Sequence, residues 1–159
     1  MLTAVIRLVL VVFALAATTA KPATAQQSFA ASTVTVETAG AAKLRFKVEL
    51  AETQAQQAQG LMFRRQMPPD AGMLFIYAKP QVAAFWMKNT FIPLDMLFIA
   101  ADGRIVHIHP NATPQSEATI TTPQVVKAVL EINGGLAARL GVRVGDIVRH
   151  AAFNNAATP

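Results

Sequence analysis

Cysteine is absent from this 159-residue chain. Disulfides, zinc–thiolate sites and thiol nucleophiles are thereby excluded, and packing alone must hold the fold together. Charge is sparse and scattered. Fourteen lysines and arginines stand against nine aspartates and glutamates, with no run of either sign. Without a basic stripe, the net charge of +5 does not point to nucleic acid. Tryptophan and tyrosine occur once each, no internal repeat is present, and no cofactor is expected.

What the chain does have begins at its N-terminus. Arg7 precedes an unbroken apolar run over residues 8–17, and Ala23-Thr24-Ala25 supplies the small-x-small pattern that a signal peptidase accepts. About ten apolar residues span roughly 15 Å as a helix, half of a ~30 Å hydrocarbon core, so residues 1–25 read as a cleaved signal peptide rather than an anchor. Cleavage before Gln26 leaves 134 of the 159 residues. Losing Arg7 and Lys21 leaves twelve basic residues against nine acids, a net charge of +3. Such a chain suits one compact domain over 32–150, with a flexible arm at 26–31 and a tail at 151–159. Export without cysteine fits a bacterial envelope compartment, periplasmic or secreted. The mature protein is expected to be a monomer and not membrane-integral.

Short apolar segments separated by turn signals fill the mature chain. Lys43-Leu44-Arg45-Phe46-Lys47-Val48-Glu49-Leu50 alternates with the period of a half-buried strand, turning Leu44, Phe46, Val48 and Leu50 inward. Thr53 can cap a short helix through Gln59, stopped by Gly60. Leu61, Met62 and Phe63 then read as an apolar plug. Strands follow at 73–77, 84–87, 94–99, 105–108 and 125–132, and Asp102-Gly103 predicts a type I′ hairpin. The polar stretch 110–124 is long for a connection, so it is either a packed Ω-type loop or mobile. The fold class is mainly β: a single barrel or sandwich of seven to eight short, mostly antiparallel strands with two short helices.

Several motifs occur in one order: Gly60-Leu61-Met62-Phe63-Arg64, Gly72-Met73-Leu74-Phe75, Phe85-Trp86-Met87-Lys88-Asn89-Thr90, Ile92-Pro93-Leu94-Asp95, and Leu130-Glu131-Ile132-Asn133-Gly134-Gly135 with Gly145-Asp146. That succession resembles the secreted bacterial proteins grouped as domain of unknown function 192, over roughly residues 36–148. The resemblance implies a small, mainly β single domain, often exported. It implies no activity, because the family has no settled function and no agreed catalytic residues.

The block from Gly60 to Asp95 holds the candidate site. One reading is a cleft floored by Trp86 and rimmed by Arg64, Lys88, Asn89, Asp95 and Glu131, offering cations and amides to an anionic or amphipathic ligand. Asp95 lies in an apolar strand and needs a compensating partner, for which Lys88 is the natural candidate. The plainer reading makes these an ion pair and a turn, with Trp86 and Met62, Met73, Met87 and Met96 as core and Glu131 pointing to solvent on the alternation of its strand. Three functions follow. The favoured one is a non-enzymatic exported domain binding a small molecule, peptide or envelope component. The second is a hydrolase of envelope polymers using Asp95 and Glu131 as a carboxylate pair. The third is a weak metal-binding protein using His107 and His109, two apart on a strand. His150 reads as a tail residue.

Overall fold

The computed structural model describes residues 26–156, so the signal-like segment 1–25 and the last three residues lie outside it. Among the described residues, nine strands and two α-helices occur in the order β1 (Ala30–Glu37), β2 (Lys43–Ala51), α1 (Gln54–Gln59), β3 (Ala71–Gln81), β4 (Ala84–Phe85) and β5 (Leu94–Ile99). The second half contributes β6 (Ile105–Ala112), β7 (Ile120–Thr121), β8 (Val126–Asn133), α2 (Leu136–Arg139) and β9 (Ile147–Arg149). The mainly β expectation holds. Among the described residues no helix is long and apolar enough to cross a membrane.

Seven strands form one curled sheet in the order β6-β5-β8-β3-β2-β1-β9, and β4 pairs separately with β7. The curl brings the two edges together at one end. Arg104 bridges Ile147, and the Val148 N–H donates to the Gly103 carbonyl at 2.7 Å. All pairs are antiparallel except β2 with β3. A parallel pair requires a crossover over one face of the sheet, and here residues 52–70 make it. Thr53 and Gln56 form a reciprocal capping box that starts α1 inside this crossover.

Alternation divides the apolar side chains between two cores. One face buries Val34, Phe46, Val48, Leu74, Leu97, Leu130 and Val148, together with Leu136 of α2. The other buries Met73, Phe75, Met87, Met96, Phe98 and Val129 beneath the crossover and the small sheet. With both faces covered, a central strand has no solvent side.

Three local expectations are corrected. The Asp102-Gly103 turn is not type I′, since only Gly103 (φ 88°) has positive φ there. The Gly103 N–H closes onto Ala100, and Ala100 N–H onto Arg104, the pattern of a type I turn with a glycine bulge. The Ala84–Phe85 strand stops before Trp86, because Met87 N–H bonds to Ser116 instead of continuing a ladder. His150 is not a loose tail residue: it is buried, contacts Ser32 Oγ at 3.0 Å and caps the 3-10 turn Ala151–Phe153. Of the two readings of 110–124, the packed one is seen, since Gln115 N–H and the Ser116 carbonyl bond to Thr90 and Met87.

Candidate functional site

Two loops on the crossover face build the site. In the 60–65 loop, Gly60 ends α1 at φ 46° and Phe63 takes φ 65°. A bulky side chain adopts that region only when its surroundings impose it. The Phe63 N–H donates to the Asn89 carbonyl at 2.8 Å, fixing the first loop to the second. In the 86–91 loop, Asn89 at φ 56° supplies the left-handed residue that asparagine tolerates, and its amide contacts the Met62 sulfur at 3.9 Å.

This geometry leaves aromatic rings in water. Phe63 is 64% exposed, Trp86 48% and Phe91 37%. Phe63 and Phe91 meet edge-on at 6.4 Å. The Arg65 guanidinium lies 5.5 Å from the Phe91 ring centre and the Lys88 ammonium 5.1 Å from that of Trp86, within cation–π range. Phe63 is therefore not part of an apolar plug, and Trp86 is not core. Met73, Met87 and Met96 are core, fully buried.

Below the rim is a hollow of about 30 Å³, lined by Gln57, Met62, Phe75, Trp86, Thr90 and Glu131. It holds one or two water-sized groups. A wider groove of about 550 Å³ runs beside α1, lined by Gln26, Ala55, Gln59, Met62, Phe63 and Arg64. Glu131 sits in a cross-strand row, Glu49-Met73-Glu131-Met96-His109, that crosses five strands. It is 4% exposed, which corrects the solvent-facing expectation: β8 lies between β5 and β3 with both faces covered. No described residue hydrogen-bonds or ion-pairs with its carboxyl. No described side-chain oxygen is both sealed from solvent and unpaired, so the Glu131 oxygens open on the hollow. Burial pushes its pKa up to about 8. Burial, then the Glu131 charge, holds the nearby Tyr77 hydroxyl above its usual range.

Asp95 is on the opposite face. It pairs with Ile132 while Glu131 pairs with Met96, and neighbours along a strand point to opposite sides. Its carboxylate accepts from the N–H groups of Asn111 (2.7 Å), Gly135 (2.8 Å) and Ala137 (2.8 Å). The expected Lys88–Asp95 pair does not form, because Lys88 reaches Glu117 at 3.5 Å instead. Trp86 and Asp95 share no cleft, and Asp95 and Glu131 cannot flank one scissile bond. Arg64 ion-pairs with Glu49 and lies over Phe29. His107 and His109 share the Glu131 face, and His107 packs on Phe98 at 5.4 Å. Among the described residues, no group of three or more His, Asp or Glu side chains is placed to hold a metal.

A family model described as "DUF192: Uncharacterized ACR" matches residues 34–150. The chain belongs to the DUF192 family. The matched span contains both loops and Glu131. Two solved structures agree in sequence and fold. A protein of unknown function from Novosphingobium aromaticivorans DSM 12444 is 44% identical, with 83% of this chain and 94% of that one covered and a TM-score of 0.75. A Sinorhizobium meliloti 1021 protein, described as a candidate transcription regulator, is 48% identical, with 80% and 99% covered and a TM-score of 0.78. Comparison with curated proteins finds no match.

Within this family frame, Arg64, Trp86, Lys88, Asn89 and Glu131 fall on one side of the sheet, and Asp95 alone is separated. Sequence reasoning missed Phe63, Phe91 and Gln57. Only Phe63 left a signal, by standing three residues after Gly60 in an irregular stretch.

Proposed function

We propose that this DUF192 protein is an exported bacterial envelope protein, without catalytic activity, that binds a small molecule or peptide carrying a ring or other flat apolar group. The signal-like sequence before Gln26 supports export. The observation that carries the binding reading is the exposed rim of Phe63, Trp86 and Phe91, with Arg65 and Lys88 laid on two of its rings. Monomeric domains bury such groups unless a partner covers them, and here a strained Phe63 backbone holds one outward. The groove beside α1 gives room for the bulk of the ligand, and the hollow gives it one polar anchor. Transcription regulation, the description of one relative, has little support in this chain. Its cations are spread out and several are paired with acids: Lys47 with Asp70, Arg104 with Asp102, Arg149 with Glu37.

Mass spectrometry of the protein purified from a periplasmic fraction tests the reading. A compound retained by the native chain and lost from Trp86→Ala is expected. If nothing is retained and no ring-bearing probe changes the fluorescence of the single tryptophan, the reading fails.

A further inference from the structure

We propose that the hollow above Glu131 receives the ammonium head of a primary amine, while the rest of the ligand lies on the Phe63, Trp86 and Phe91 rim. The proposal rests on the rim being a ligand site and names the chemistry of what binds there.

The acceptors come first. An ammonium carries three donors and no acceptor. The Glu131 carboxyl opens on the hollow with no hydrogen-bond partner of its own. Gln57, also in the lining, spends its amide nitrogen on the Ala51 and Ile76 carbonyls, at 3.2 Å and 2.9 Å. Its side-chain oxygen is left without a donor. Thr90 Oγ1 donates to the Lys88 carbonyl at 3.4 Å and keeps its lone pairs. Three residues with acceptor capacity to spare thus line one small space, and no side-chain cation of the described residues is paired with Glu131 there. Arg64 is held by Glu49, Lys88 by Glu117, and Lys127 by the Tyr77 and Ala78 carbonyls.

Size and wall chemistry narrow the ligand further. About 30 Å³ admits a head group the size of one or two waters. A carboxylate or phosphate is larger and would meet a carboxyl. The rings of Phe75 and Trp86 line the space and favour a cation. An apolar tip would leave Glu131 without a partner.

Binding is then linked to protons. Glu131 holds its proton at neutral pH, so an incoming ammonium displaces it, and affinity rises as pH approaches 8. The other titratable or charged groups on this face are Tyr77 of β3, Lys127 of β8, Lys47 and Glu49 of β2 with their partners Asp70 and Arg64, His107 and His109 of β6, and Lys88 beside Trp86. His109 lies beyond Met96 in the same row.

Three probes of one shape decide the matter: 2-phenylethylamine, 2-phenylethanol and 3-phenylpropionate, followed by calorimetry and Trp86 fluorescence. At pH 8.5, where the amine (pKa ~10) is still charged, it should bind at least about tenfold tighter than the alcohol, and the carboxylate weaker than both. Glu131→Gln should weaken the amine about tenfold or more and leave the alcohol within about twofold. Its circular dichroism melt at pH 5 should lie within about 3 °C of the native one, which shows that the fold survives. At pH 7, calorimetry in two buffers of different ionisation enthalpy should report release of nearly one proton per amine bound. If the alcohol binds as well as the amine, or Glu131→Gln changes nothing, the ammonium proposal is overturned while the rim reading stands. If none of the three binds, both fall.

Discussion

Replacing Glu131 by glutamine keeps the shape of the side chain and removes its ability to ionise, which isolates the energetic consequence of burying this acid. The free folded protein holds the Glu131 proton until about pH 8, against an ordinary value of 4.5. Below about 4.5 both folded and unfolded chains are protonated here, so the residue costs nothing. Between 4.5 and 8 the unfolded chain ionises first, and stability falls as pH rises. Above 8 both forms are charged and the full cost remains. At about 1.4 kcal/mol per tenfold change in proton affinity the gap amounts to roughly 5 kcal/mol. Water entering the hollow reduces this to about 2–4 kcal/mol. For a domain of this size that is about 6–16 °C in Tm. Glu131→Gln should therefore lie within about 3 °C of the native protein at pH 5 and melt about 6–16 °C higher at pH 9, measured by circular dichroism without ligand. Burial lowers the pKa of His150, partly offset by Glu52. That residue weakens both proteins alike as pH falls below 6.5, so the difference between them cancels it. Melting curves that stay parallel from pH 5 to 9.5 would refute the buried, unpaired acid.

Four further outcomes follow from the geometry. Asp95→Ala strands the N–H groups of Asn111, Gly135 and Ala137 and should cost about 3–5 kcal/mol in urea unfolding. Lys88→Ala, which breaks an exposed pair with Glu117 and a cation–π contact with the half-exposed Trp86, should cost less than about 1 kcal/mol; equal losses would revive a Lys88–Asp95 link. Phe63→Gly relieves a positive φ at an exposed side chain and should leave stability unchanged or raise it by up to about 1 kcal/mol, while weakening ring-bearing probes. A drop beyond about 1 kcal/mol would show that Phe63 serves packing. In Gly72→Ala the new Cβ would stand 2.5 Å from the Glu131 backbone oxygen, and the forced separation of β3 from β8 should destabilise by about 1–3 kcal/mol. A neutral Gly72→Ala would mean the β3–β8 contact is looser than described.

Much of the framework was readable in the chain because it rests on local chemistry. The alternation of Lys43-Leu44-Arg45-Phe46-Lys47-Val48 marks β2 and its buried side whatever surrounds it. Thr53 identifies the start of α1 because its hydroxyl can reach the Gln56 N–H three residues on. The run Leu94–Ile99 matches β5 at both ends, and the ordered motifs anticipated the family. Asp102-Gly103 marked the β5–β6 turn but not its type, which depends on how Ala100 and Arg104 pair.

The site itself was only half legible. Arg64, Trp86, Lys88, Asn89 and Glu131 could be nominated by residue type, since cations, amides and an indole in one irregular block are poor core material. Their sides could not. Asp95 and Glu131 look alike in sequence, each a lone acid in an apolar strand. Pairing Asp95 with Ile132 rather than Glu131 puts the two acids on opposite faces, because a pleated strand turns successive side chains to opposite sides. Tertiary structure then assigns their fates. Asp95 meets three backbone donors from a bulge and a helix start, whereas Glu131 meets two methionines and a hollow. The chain by itself determined most of the segments that are strands and several of the polar residues that stand out from the core. Sheet order and register alone decided which acid is satisfied and which is left unpaired, since those depend on partners distant in sequence.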